Sequence, residues 1–227
     1  MLRKLRRWWL SWQKPKMTAT LRQFNERMLI ETQRGTHTQF MESLSPSEAR
    51  AYLAAFDSWL VGKNMQATAE DYYWRSLLVR YFFPDPRLEE ADLRYAVALA
   101  PDNVDIWVSL GHMAADRKEW SEAIECYEAG IKAEPRNFFP WYGRAMVYMS
   151  LRRFDESLHD INIAIEIHSH LAYGYEVRGR IYDRMGELEK AVADLDIAVQ
   201  SWAAGPDTQR LRNELRRKFE QKNRHGC

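Results

Sequence analysis

The side chains that could bind a metal or act as a nucleophile are few and lie far apart. His168 and His170 flank Ser169 at a predicted turn and would offer two ligands two residues apart. No third ligand follows at metal spacing, so we interpret both as solvated turn residues. Cys126 and Cys227 have no second Cys or His nearby, which argues against a zinc site and against a disulfide framework.

The sequence also lacks the arrangements that covalent or phosphate chemistry needs. There is no glycine-rich phosphate loop and no Ser–His or Cys–His pattern, and the acidic residues are spread along predicted helix surfaces. We therefore expect no enzyme activity and no cofactor. Cys126 falls beside predicted core positions of a helix, where a small buried thiol is the expected state.

Residues 1–16, MLRKLRRWWLSWQKPK, have a different chemistry. As a helix they place Leu and Trp side chains on one stripe and cations beside it. Indoles favour the headgroup boundary of a bilayer, and cations are attracted to anionic lipid, so this segment is typical of an interfacial membrane helix. The predicted membrane-contact residues are Leu5, Trp8, Trp9 and Trp12.

Two alternatives stand beside a membrane role for this segment. Its Trp stripe could dock on the protein itself, because the first 25 residues carry seven bases and no acid while the body of the chain is acidic. It could also be an organelle-targeting presequence, although it is poor in Ser. We expect a cytoplasmic protein, attached to the membrane face in the first case. Nucleic acid is not expected as a partner, because the basic C-terminal residues lack interleaved aromatics.

A period of 34 residues runs through the second half of the chain. It begins at Val104, Phe138 and Ala172, and each unit repeats aromatic, small and apolar positions three and four residues apart. Spacing of this kind predicts two amphipathic helices in each unit, joined by a short turn. The matching positions are Trp107, Trp141 and Tyr175; Gly111, Ala145 and Gly179; Ala123, Ser157 and Ala191; Tyr127, Ile161 and Leu195; Gly130, Ala164 and Ala198.

Polar residues at the unit boundaries support this reading. Asn103 and Asn137 precede the first helices of their units, where a side-chain oxygen can accept orphan backbone N–H groups. Small residues fall where two helices must approach closely. The pattern resembles the tetratricopeptide repeat family over residues 104–205, and the resemblance implies an all-α helical-hairpin solenoid that binds another protein.

The flanking regions complete this domain organisation. Ser45-Pro46-Ser47-Glu48 predicts a capping box that opens a helix running to about Val61, after a helix over 18–33 and a connection over 34–44. Leu211, Leu215 and Phe219 predict a helix that covers the last repeat. The predicted divisions are 1–16, 17–69 (helical region), 70–103 (degenerate hairpin), 104–205 (repeats 104–137, 138–171 and 172–205) and 206–227 (capping helix and tail).

The resemblance also implies which residues contact a partner, because the first helix of each hairpin lines a concave groove in the family. In the middle unit these positions form an apolar strip, with Asp105 and Asp116 on one side and Arg180 and Arg184 on the other. An alternative is that residues 1–69 fold back and fill the strip. The predicted partner-binding residues are Val108, His112, Phe139, Tyr142, Met146, Met149, Tyr173, Val177, Arg180 and Arg184.

The groove positions also predict what is not bound. Co-chaperones of the family grip a C-terminal carboxylate with Lys and Asn, and the corresponding positions here carry apolar residues and a His. We therefore expect an adaptor or chaperone-like scaffold that binds an apolar or helical segment of a partner protein. The alternative is a membrane-peripheral structural or assembly component, anchored by residues 1–16.

Overall fold

The computed structural model describes residues 23–24, 26–27, 41–63, 67–169, 172–200 and 205–225. The regular secondary structure in these ranges is entirely helical, and the prediction of an all-α chain is confirmed. None of the helices described has both the length and the hydropathy that crossing a bilayer requires. Residues 1–16, with Leu5, Trp8, Trp9 and Trp12, lie outside the described residues.

From residue 46 onward the described chain is a succession of helices joined by short turns. They are α1 (Pro46–Lys63), α2 (Ala69–Phe82), α3 (Pro86–Leu99), α4 (Val104–Asp116), α5 (Trp120–Ala133), α6 (Phe138–Ser150), α7 (Phe154–Ile167), α8 (Ala172–Met185), α9 (Leu188–Gln200) and α10 (Pro206–His225). The chain divides into two compact units, residues 1–101 and 102–227.

The first unit contains α1 to α3. The predicted capping box is present, since the Ser45 N–H donates to the Glu48 carboxylate at 2.8 Å and the Glu48 N–H donates to the Ser45 hydroxyl at 3.3 Å. Helix α1 ends at Lys63 rather than at Val61. Residues 41–43 are helical where a connection over 34–44 was predicted. That prediction rested on local composition, whereas Met41 is fully buried in the core of this unit.

The core of the first unit is built around aromatic side chains. Phe24 lies 4.7 Å from the ring of Tyr52 and 5.6 Å from that of Phe56, measured between ring centroids. These rings pack with Met41 and Leu78, which are buried as well. Helices α2 and α3 pack against each other as a hairpin over residues 69–99.

The second unit contains three hairpins, α4–α5, α6–α7 and α8–α9. The predicted caps are confirmed: Asn103 accepts from the Asp105 N–H and Asn137 from the Phe139 N–H, both at 3.1 Å. The turn inside each hairpin contains one residue with positive φ, and these residues are again 34 apart: Lys118 at 62°, Arg152 at 61° and Gly186 at 82°. Only the third is a glycine, so the first two turns hold a side chain in a left-handed conformation that glycine adopts more easily.

Helix α10 covers the last hairpin, as the sequence predicted. Leu215 is fully buried and packs with Ala191, Val192 and Leu195 of α9. Two basic residues of α10 also pair with an acid on α9. Asp196 lies 2.5 Å from Arg216 and 3.7 Å from Arg212.

Truncating the buried leucine of α10 tests this capping contact. We expect Leu215→Ala to lower the free energy of unfolding by about 2–5 kcal/mol, because it removes buried methyl groups and leaves a cavity. Urea denaturation followed by circular dichroism measures this difference. The exposed Arg217→Ala on the same helix should change stability little. Equal unfolding midpoints for the two variants would show that α10 does not stabilise the last hairpin.

Candidate functional site

The groove is formed by the first helices of the three hairpins. Helix α4 packs against α6, and α6 packs against α8. Each second helix instead packs against the first helix of the next hairpin, α5 against α6 and α7 against α8. The first helices therefore form one continuous surface, with α6 in the middle.

Close approach of α4 and α6 depends on two glycines and one tyrosine. Tyr127 of α5 is 1% exposed, and its ring lies against Gly111 of α4 and Gly143 of α6. A Cβ atom on Gly111 would lie 2.6 Å from the ring. Burial raises the pKa of Tyr127, which keeps its hydroxyl neutral between the helices.

A cavity of about 290 Å³ opens between α6 and α8. It brings together six of the ten predicted partner-binding residues and adds Glu176. Its lining residues are Tyr142, Met146 and Met149 from α6, and Tyr173, Glu176, Val177 and Arg180 from α8. The size of the cavity suits one or two large side chains of a partner, at the small end of known ligand pockets.

The other four predicted residues lie elsewhere on the first helices. Phe139 is 49% exposed and stacks on Phe138 with 4.1 Å between ring centroids. His112 is exposed, and its ring lies 5.9 Å from that of Tyr127. Val108 is half-buried on α4, and Arg184 is exposed at the end of α8. None of these four lines the cavity.

The middle strip is less exposed than its sequence suggested. Tyr142, Met146 and Met149 are half-buried because they also pack against the core cluster between α6, α7 and α8. The large rings that remain most accessible are Phe139 and, on α8, Tyr173, which is 54% exposed. The groove therefore has a partly buried floor and two exposed aromatic rings at its edges.

The charges within the cavity are already paired. The Arg180 guanidinium donates to the Glu176 carboxylate at 2.8 Å, one helical turn away. Arg180 was predicted to contact a partner, and in the structure its guanidinium pairs with Glu176. Burial raises the pKa of Tyr142, the negative charge of Glu176 raises it further, and Arg180 acts in the opposite direction.

Helix α6 contributes no charge to the cavity lining. Its single charged side chain, Arg144, donates to both oxygens of Asp160 on α7, from Nε at 2.7 Å and from Nη2 at 2.9 Å. The Arg144 guanidinium also lies over the Trp141 ring at 5.2 Å. This bidentate arrangement directs the cation into the hairpin interior.

Arg144 belongs to a set that we name the arginine ladder, comprising Arg75, Arg144 and Arg178. Each donates to an aspartate on the second helix of its own hairpin and to a residue on the preceding second helix or on α1. The acceptors are Asp92 at 2.8 Å and Asp57 at 2.7 Å for Arg75; Asp160 at 2.7 Å and Glu128 at 3.4 Å for Arg144; Asp194 at 2.7 Å and Asn162 at 2.7 Å for Arg178.

Sequence reasoning missed these pairs, although a signal existed. Arg144 and Arg178 are 34 residues apart, and so are Asp160 and Asp194. Hairpin α4–α5 lacks the pair because it carries Leu110 and Cys126 at the same positions, and both are buried. The position of Arg144 and the position of Asp160 thus change together from one hairpin to another, and this joint change is the signal that indicates their contact.

The described part of the chain contains no metal site at the candidate ligands. Among the described residues, no three His, Cys, Asp or Glu side chains come together in a way that could hold an ion. His168 is exposed beside Phe138, with 5.2 Å between ring centroids. His170 lies outside the described residues.

Comparison with known proteins supports the repeat assignment. Residues 87–138 match the tetratricopeptide repeat family model. Hsc70-interacting protein 1 of Drosophila melanogaster is 32% identical over 82 residues, which are 36% of this chain and 22% of that protein. The chain therefore spans about a fifth of the length of this curated relative.

Solved structures show the same fold. The first tetratricopeptide domain of Spaghetti (RPAP3), bound to the HSP90 peptide SRMEEVD, is 21% identical with a TM-score of 0.50, covering 52% of this chain and 93% of that one. The crystal structure of MamA protein is 16% identical with a TM-score of 0.61, covering 80% of this chain and 91% of that one. At these identities the likeness concerns the fold alone.

Proposed function

We propose that this chain, which contains tetratricopeptide repeats, is a protein-binding adaptor or chaperone-associated scaffold whose α6–α8 groove holds an apolar or helical segment of a partner. The observation that carries this proposal is the α6–α8 cavity, with two exposed aromatic rings, Phe139 and Tyr173, on the same two helices. Clustered exposed aromatic side chains mark binding surfaces in soluble proteins.

The chemistry of the cavity favours an apolar occupant. Its lining is formed by two tyrosines, two methionines and a valine, and its one ion pair, Glu176–Arg180, is internally satisfied. An apolar side chain entering it would remove apolar surface from water at about 25 cal/mol per Å² and would leave that ion pair intact. The flexible Met146 and Met149 side chains can adjust to occupants of different shape.

The relatives support the proposal that the chain binds another protein. One is named as an Hsc70-interacting protein, and one structural neighbour is bound to an HSP90 peptide. Both are proteins that bind another protein or its peptide, and in the second a tetratricopeptide domain is what binds the peptide. The membrane-peripheral alternative rests on residues 1–16, which lie outside the described residues.

The two exposed aromatic residues of the groove can be substituted to test partner binding without changing a buried core residue. We expect Phe139→Glu and Tyr173→Glu each to reduce partner capture at least tenfold, about 1.4 kcal/mol or more, since a carboxylate replaces a ring that would be buried on binding. The measurement is affinity purification of the full chain from its native cell extract, with quantitative mass spectrometry of what co-purifies.

The matched control is Ile197→Glu on α9, because Ile197 is 46% exposed and lies on a second helix, away from the groove. Proteins captured by the wild type and by Ile197→Glu but lost from both groove variants would be groove partners. If all variants capture the same proteins equally, the groove is not the binding surface.

A further inference from the structure

We infer that the groove is selective for an amphipathic helix with a cationic end, and that it rejects peptides terminating in a carboxylate. This inference rests on the proposed function and specifies the chemistry of the partner. It follows from the distribution of charge over the three first helices, each of which makes a different contribution to the groove.

The α4 edge of the groove is acidic. The charged residues of the helix are Asp105 and Asp116, both exposed. In the turn that follows, Arg117 pairs with Glu119 at 3.7 Å and Lys118 is exposed. In the 34-residue register, Asp105 occupies the position of the exposed rings Phe139 and Tyr173. A carboxylate thus stands on α4 where the other two hairpins present an aromatic ring.

The rest of the groove is neutral. On α6, Arg144 is bound to Asp160, and on α8, Arg178 is bound to Asp194. The remaining ionised residues of α8 are balanced in sign: Glu176 with Arg180 in the cavity, and Asp183 with Arg184 near the helix end. A partner therefore meets acid at α4 and an uncharged apolar surface over α6.

This distribution is unsuited to a carboxylate. Neither α4 nor α6 offers a Lys or Arg to the groove. On α8, Arg180 already donates to Glu176, and the exposed Arg184 does not line the cavity. A carboxylate entering the cavity would have to displace Glu176 from Arg180 or remain desolvated and unpaired, and both are unfavourable. A Lys or Arg lying over the last turn of α4 would approach the exposed carboxylate of Asp116.

The spacing on α6 favours a helix as the form of the partner. Tyr142, Met146 and Met149 are four and three residues apart, so they form a stripe along the helix axis. A partner helix with apolar residues at the same spacing can pack along this stripe. Its cationic end would lie toward Asp116, at the last turn of α4.

The test uses the full chain and three synthetic peptides. The first is an amphipathic helix of about 15 residues with a Leu stripe and Lys at one end. The second has Glu in place of those Lys residues, and the third is the acidic heptapeptide SRMEEVD. Fluorescence anisotropy at low salt gives each Kd. We expect the Lys peptide to bind about tenfold more tightly than the Glu peptide, and SRMEEVD not to bind measurably.

Three variants test the charge selectivity separately from the proposed binding of a partner in the groove. Asp116→Lys should abolish the preference for the Lys peptide, and lysine is compatible with the C-terminal turn of α4 because it favours the helix dipole. Glu125→Lys on α5, also exposed, should leave the preference unchanged. Tyr173→Glu should weaken binding of both helical peptides.

Each contrary outcome has a distinct meaning. If the Lys and Glu peptides bind equally and both are lost on Tyr173→Glu, the charge selectivity is refuted and the groove remains the binding surface. If neither helical peptide responds to Tyr173→Glu, the proposed function itself fails. Tight binding of SRMEEVD that is lost on Arg180→Ala would overturn the inference directly.

Discussion

Replacing Arg144 with leucine is expected to lower the free energy of unfolding by about 3–5 kcal/mol. Asp160 is 1% exposed, and its two oxygens receive hydrogen bonds from Arg144. Without the guanidinium its carboxylate would be buried and unpaired, which is far more costly than the loss of a surface ion pair. Urea denaturation of the purified chain measures the difference.

The chain itself supplies the control for this prediction. Hairpin α4–α5 carries Leu110 and Cys126 where the next hairpin carries Arg144 and Asp160. We therefore expect the double variant Arg144→Leu/Asp160→Cys to recover most of the stability that Arg144→Leu alone loses, because an apolar pair replaces a charged one. Arg153→Leu, which removes an exposed partner of Glu156, should have little effect. A double variant less stable than Arg144→Leu would contradict this account.

Truncating Tyr127 to alanine should destabilise the second unit by about 3–5 kcal/mol. Tyr127 is the largest fully buried side chain among the described residues, and its ring fills the space between Gly111 and Gly143. Removing the ring leaves a cavity that two neighbouring helices cannot close without moving. Thermal unfolding monitored by circular dichroism measures the effect, and Tyr127→Phe, which keeps the ring, should cost much less.

A second substitution shows whether the glycines are required because of this ring. Gly143→Ala alone should destabilise the chain by about 1–3 kcal/mol, because its methyl group would overlap the Tyr127 ring. In the Tyr127→Ala background the same methyl group has room and should be neutral or stabilising, as alanine is a better helix former than glycine. If Gly143→Ala costs the same in both backgrounds, the glycine serves another purpose.

Features set by local chemistry were predictable from the sequence. The caps at Asn103 and Asn137, the capping box at Ser45 and the apolar stripe of α10 depend on residues within one or two turns, so spacing alone identifies them. The 34-residue period predicts the hairpins for the same reason. The connection expected at 41–43 is helical because burial of Met41 in the core, which the sequence does not display, outweighs local composition.

The candidate site was only partly predictable, because its properties depend on contacts between helices. The family register placed Tyr142, Met146 and Val177 on the groove. Their partial burial follows from packing between α6, α7 and α8, and no single helix encodes it. The Glu176–Arg180 pair was visible as a four-residue spacing, but its position at the cavity required the fold. Residues 70–103 were predicted to form a degenerate hairpin, and the family match at residues 87–138 covers α3 from Arg87 onward.

The arginine ladder has a direction that bears on how the chain is made. Besides the aspartate of its own hairpin, each ladder arginine binds an acceptor nearer the N-terminus: Asp57 for Arg75, Glu128 for Arg144 and Asn162 for Arg178. A ribosome releases the N-terminal acceptor first, so every emerging arginine finds that partner already synthesised. Each new hairpin can then attach to the one before it as soon as its own aspartate has left the exit tunnel. Along the repeats, the N-terminal acceptor of each ladder arginine is therefore synthesised before the arginine that binds it.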